Sequence, residues 1–115
     1  MTERDYKSEM LEMLHQQGDL YTYSDIMDCI HSGKMQSFVA QDTWVVTQVH
    51  EFPQKKVVDI VFVLGDESGL KAIEPRLLEF KERIGADYLS ATGRKGWLRK
   101  AFPGWELVSV NFIKV

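Results

Sequence analysis

The sequence predicts one α/β domain built on a mixed sheet of α+β type, and three observations carry that expectation. The hydropathy period is helical up to Gly33 and alternating from Gln36; Val57–Leu64, VVDIVFVL, is almost continuously apolar; and a helical pattern separates that run from another strand pattern. A helix between two buried strands implies a right-handed parallel βαβ unit. The length of 115 residues and the 44% hydrophobic content suit a single domain, residues 1–115, around one core.

The elements follow in order. Tyr6, Met10, Met13 and Leu14 recur at helical spacing within Glu3–Gln17, and Gly18-Asp19 stops the pattern. This apolar stripe is either core or a partner surface. TYSD, Thr22–Asp25, sets a hydroxyl N-cap three residues ahead of a carboxylate, after which Ile26, Cys29 and Ile30 share a face until Gly33. Phe38 and the β-branched and aromatic run Thr43–Val49, on either side of the turn-prone Ala40–Asp42, predict a hairpin. A second reversal at Phe52–Lys55 leads into Val57–Leu64, a central strand covered on both faces.

GDESG then opens a helix in which Leu70, Ile73, Leu77, Leu78, Phe80, Lys81 and Ile84 outline one broad face, ended by Gly85. Pro75 lacks a backbone donor, so it is expected to kink this helix or to restart it near its own first turn. Asp87–Ala91 reads as a strand, Lys95–Phe102 as a short helix, Pro103-Gly104 as a turn and Glu106–Val115 as a closing antiparallel strand. The predicted order is α-α-β-β-β-α-β-α-β, with three antiparallel strands ahead of the parallel unit.

Composition narrows the function classes. A net charge of −3 gives no broad positive field, so nucleic acid is not expected as a partner unless a local patch provides one. Cys29 is the only cysteine, which excludes an intramolecular disulfide and a cysteine-rich zinc site; the three histidines share no metal-ligand spacing, and no metal is expected. MTERDYKSEM has no apolar signal region, and no apolar run approaches the ~20 residues that cross a bilayer. The expected location is the cytoplasm, with no membrane partner.

The predicted layout resembles the GNAT acyltransferase superfamily over nearly the whole chain. The helix, SGKMQ, the hairpin and the late GRKGW followed by Gly-Trp are similar to small GNAT-like proteins of tailed phages and prophages, one of which is classed as an internal virion protein. In that resemblance, a loop of the form Q/R-x-x-G-x-G/A after the central strand offers backbone N–H groups to the pyrophosphate of acyl-CoA. The corresponding segment here is LGDESGLKAIEP, Leu64–Pro75, which supplies that pattern in no register; Gly65, Ser68, Gly69 and Leu70 are its candidate cofactor contacts, and Asp66 and Glu67 put carboxylates where phosphates would lie.

A second landmark of the superfamily, N-x-x-A-x-x-L-Y ahead of Gly-Phe, aligns Arg94 with the asparagine, Trp97 with the alanine and Lys100 with the tyrosine that acts as the acid. A lysine, with a reference pKa of ~10.4, is poorly matched to neutral proton transfer. The resemblance therefore implies a phage- or prophage-type GNAT-like protein with a non-catalytic binding or virion-associated role, in the host cytoplasm or the virion, requiring no cofactor and meeting protein partners or its own copies. The alternative it implies is an N-acetyltransferase that uses acetyl-CoA through an atypical loop.

Among individual residues, no catalytic group is assigned. His50-Glu51 at the end of a hairpin strand is either a general base or a solvated strand end. His15 and His31 sit at helix ends, where a cation is favourable without any function; Cys29 and Trp44 read as packing; and the alternating charges of Lys71–Arg83 describe a solvated face. The basic segment holds Arg94, Lys95, Trp97, Arg99 and Lys100. It is a phosphate cradle eased by Gly93 and Gly96, a stacking or partner surface, or a core corner closed by Trp97 and Trp105 with solvated cations.

Overall fold

The computed structural model describes residues 6–16, 18–65 and 68–91. It begins with α1 (Tyr6–Gln16) and α2 (Tyr23–His31), followed by β1 (Met35–Ala40), β2 (Thr43–Glu51), β3 (Lys56–Gly65), α3 (Ser68–Ile84) and β4 (Tyr88–Ala91). The four strands lie in the order β1-β2-β3-β4, the first two pairings antiparallel and the third parallel. This is the expected hairpin, central strand and βαβ unit. The expected short helix at Lys95–Phe102, the turn at Pro103-Gly104 and the strand at Glu106–Val115 lie outside the described residues, as do the cations and tryptophans of that segment.

Local chemistry accounts for the ends of the elements. Thr22 accepts from the Asp25 amide at 3.1 Å and Asp25 accepts from the Thr22 amide at 2.9 Å, so both arms of the capping box read in TYSD are present. At the far end of α3, Gly85 takes a φ of 72°, a left-handed conformation open to glycine at little cost, and the chain turns with the Ala86 amide bonded to the Lys81 carbonyl.

The sheet separates two apolar cores. Met10 and Leu14 of α1 and Ile26 of α2 pack on Met35, Trp44, Val46, Phe62 and Leu64 on one face. Leu70, Ile73 and Leu77 of α3 pack on Val45, Ile60 and Val63 on the other. The stripe on α1 is thus core at Met10 and Leu14, and Cys29 lies half-buried beside the same cluster. Trp44 is packing as read, with its indole N–H donating to the Ser37 hydroxyl at 2.6 Å.

Of the two outcomes expected at Pro75, the restart does not occur: α3 is one helix through it, with the apolar side chains at 70, 73 and 77 against the sheet and Pro75 facing solvent. Two features depart from the sequence reading. Leu78 does not belong to the buried face: it is 45% exposed, one residue beyond Leu77 and so about 100° further around the helix. In addition, β3 carries a bulge. Val46 pairs with Phe62 and Thr47 with Ile60, so Val61 is an extra residue and the alternation of β3 shifts there.

Candidate active site

The strand register builds a polar cluster at the end of the sheet away from the β1–β2 turn. Asp59 of β3 lies opposite Gln48 of β2 and Ser90 of β4, while Val57 lies opposite His50 and Tyr88. Residues directly opposite one another in neighbouring strands project to the same side, so these six form two rows on one face. The contacts agree with that placement. The Ser90 hydroxyl donates to Asp59 Oδ1 at 2.9 Å, and His50 Nε2 lies 3.9 Å from Asp59 Oδ2, an ion-pair distance when the imidazole is protonated. The His50 ring also rests 5.8 Å from the ring of Phe52, centre to centre.

Asp59 is the electrostatic centre of this cluster. Burial raises its pKa above the ordinary 3.8, and the Ser90 hydrogen bond and the nearby His50 act against that rise without cancelling it. Its side chain keeps 27% of its surface exposed and that of His50 39%, so both can meet a solute. The carboxylate stands between the hydroxyl and the imidazole, which is the wrong order for a serine nucleophile: Ser90 donates to the acid and has no base of its own here. What the arrangement can do is accept a proton at Asp59 with His50 beside it.

His50 therefore has a facing carboxylate, which a solvated strand end would not show, whereas Glu51 points away and pairs with Lys56 at 3.5 Å. His15 bonds Asp19 at 3.3 Å in an exposed turn, and His31 stands in the last turn of α2, as their positions implied. Among the described residues no group of three or more His, Cys, Asp or Glu side chains could hold a metal ion. No helix among them is long and apolar enough to cross a membrane.

The second place of interest is the start of α3. The Gly69 amide donates to the buried Thr43 hydroxyl at 3.1 Å. The contact is so close that a Cβ on Gly69 would stand 2.5 Å from the Ala40 carbonyl and closer still to Thr43 Oγ1. Leu70 is buried in the α3 core, so its side chain is not a cofactor contact. Of the four candidate cofactor residues, Gly69 thus has its donor already bonded, and Ser68 and Leu70 contribute backbone amides in the first turn of α3. Asp66 and Glu67 lie outside the described residues. An open depression of about 610 Å³, lined by Gln36, Gln48, Val49, Lys56, Phe80 and Ile84, touches the cluster only at Gln48 and is lined by none of Asp59, His50, Ser90 or Gly69.

An aminoglycoside acetyltransferase from an uncultured soil metagenomic sample, solved in complex with trehalose, superposes with a TM-score of 0.65 at 15% identity, covering 95% of this chain and 85% of that one. The chain shares the fold of this acetyltransferase. The same enzyme in complex with sisomicin gives a TM-score of 0.65 at 15% identity, over 96% of this chain and 86% of that one. A Thermus thermophilus protein aligns over 100% of this chain and 99% of its own at 12% identity, with a TM-score of 0.56. No family model and no curated protein sequence matches the chain.

Sequence reasoning missed Asp59 and its partner Ser90. The available signal was the lone carboxylate inside VVDIVFVL, since an acid amid apolar neighbours is either paired or functional.

Proposed function

We propose that this protein is an N-acyltransferase that moves an acyl group from a thioester donor to a primary amine, with Asp59 and His50 receiving the amine's proton. The observation that carries the reading is the half-buried Asp59, held at Oδ1 by Ser90, with Oδ2 facing His50. The acetyltransferase fold supports it.

The reaction asks two things of the chain. An amine attacks only as the neutral base, and nitrogen must lose a proton as the new amide forms, so an acceptor near the nucleophile helps both steps. Asp59 supplies it. The Ser90 hydrogen bond fixes the rotation of the carboxylate, and His50, when protonated, stabilises the carboxylate after the proton is passed on. Acyl-CoA, when bound, would supply the activated carbonyl and the leaving group, its C–S bond breaking as the C–N bond forms and the thiolate taking a proton from solvent; the amides of Ser68 and Leu70 at the start of α3 are the groups that would meet its phosphates.

The test is isothermal calorimetry with acetyl-CoA together with turnover on a panel of primary amines. Micromolar binding is expected, as is a loss of about 100-fold or more in kcat/KM for Asp59→Asn. Absence of binding at millimolar acetyl-CoA would sink the reading.

One observation favours a second reading, a non-catalytic binding protein. A Gly69 amide bonded to Thr43 leaves one donor fewer at the turn where a phosphate would sit. On that reading Asp59→Asn leaves every ligand-binding and thermal-shift response to acetyl-CoA at zero, as in the parent protein.

A further inference from the structure

Beside the outer edge of the sheet stand cations that pair with no carboxylate among the described residues. The β1–β2 turn contains only Gln41 and Asp42, so the flanking pair Ala40 and Thr43 is the hydrogen-bonded one, and bonded and non-bonded pairs alternate from there. Gln36, Phe38 and Ala40 consequently bond to β2, while Met35, Ser37 and Val39 turn their N–H and C=O groups outward. A side-chain contact agrees: Arg76 Nη1 donates to the Val39 carbonyl at 2.8 Å. Among the described residues no strand lies beyond β1.

Along this edge, two guanidinium groups are held by rings. Arg76 lies over Phe38 and Arg83 over Phe80, each 5.6 Å from the ring centre, and the two rings meet edge-on at 5.9 Å. Stacking of this kind limits rotamer freedom, which lowers the entropic cost of binding an anion; Arg76 already gives one Nη1 donor to the Val39 carbonyl, which an added strand would have to displace, and keeps its remaining N–H groups for the anion. Among the described residues neither arginine, nor Lys34 in the turn entering β1, is paired with a carboxylate. Residues 76 and 83 are two turns apart, ~10 Å along the axis. Acidic side chains two and four residues apart on one face of an extended strand, at ~7 and ~13 Å, bracket that spacing.

We propose that the β1 edge, with Arg76 and Arg83 beside it, docks an acidic extended segment of a partner protein by strand addition. Alternating donors and acceptors on β1 match another peptide backbone, whereas a nucleic-acid backbone offers acceptors to an edge that presents both. A second copy pairing through its own β1 would bring two arginine clusters together, which opposes self-association here.

The test is an amide-resolved NMR titration of the full chain with a capped octapeptide alternating Glu and Val. Saturable shifts are expected at the Met35, Ser37 and Val39 amides and at the side chains of Arg76 and Arg83, weakening with salt and roughly fivefold weaker in Arg83→Gln. Because only alternate residues of a strand face β1, N-methylation of one set of peptide residues, all Glu or all Val, should abolish binding and that of the other set should leave it intact. Equal binding of both methylated peptides, or of a Lys-Val octapeptide, overturns the proposal. So does an oligonucleotide that shifts the arginines while the acidic peptide shifts nothing, or dimerisation through β1 in place of peptide binding.

Discussion

At Asp59, burial pulls the carboxyl pKa upward ahead of the Ser90 and His50 contacts that pull it down; at Asp25, the Thr22 backbone bond, then the Thr22 side-chain bond, pull it below 3.8. The two acids therefore act on stability with opposite signs. A folded pKa above the unfolded one means that the native state binds more protons between the two values, so the contribution of Asp59 improves as pH falls through its raised value. The Asp25 contribution is complete above the ordinary carboxylate value and is lost as pH falls through its lowered one. Asp59→Asn, which keeps an acceptor for Ser90, should thus raise the urea midpoint at neutral pH, with the gain closing in acid. Asp25→Asn should lower the midpoint at neutral pH, with the loss closing in acid. Urea titrations at a series of pH values check both signs.

Among the elements, α3 is fixed at each end by a different device. At its start, Thr43→Val leaves the Gly69 amide without its buried acceptor and should cost about 1–3 kcal/mol by chemical denaturation. Gly69→Ala should cost a similar ~1–3 kcal/mol through overpacking. Thr43→Ala should not rescue it, since the Ala40 carbonyl would still meet the new methyl group. Past the end of α3, Asp87 and Lys56 bond each other twice, amide to carboxylate at 2.8 Å and amide to carbonyl at 2.7 Å, and Lys56 Nζ caps the Ile84 carbonyl at 3.0 Å. Asp87→Ala should cost about 0.5–1.5 kcal/mol and speed hydrogen exchange at the Lys56 amide ahead of the rest of β3.

Across the whole molecule, the sheet keeps two cores apart, and Phe62→Leu on one face with Ile73→Val on the other should give destabilisations that add within about 0.5 kcal/mol. The order of the elements was legible because period, caps and turn residues are local. TYSD announced α2, and the change to alternation after Gly33 announced the hairpin. One local rule lost to packing, at Leu78, where contact with the sheet decides what is buried, and of the outcomes open at Pro75 the restart did not occur. The site was less legible because its parts are far apart in sequence. His50 and Ser90 lie 9 and 31 residues from Asp59 and meet it only through the strand register. The bulge at Val61 hid the pattern further: VVDIVFVL looks unbroken because its alternation changes phase midway, with Asp59 and Phe62 on the same face. Val61 is thus a spare position. Deleting it would leave Ile60 opposite Thr47 and set Phe62 directly after it opposite Val46, so β3 would regain plain alternation with Asp59, Phe62 and Leu64 still on one face. A lineage carrying this strand can lose that residue without turning a single side chain over.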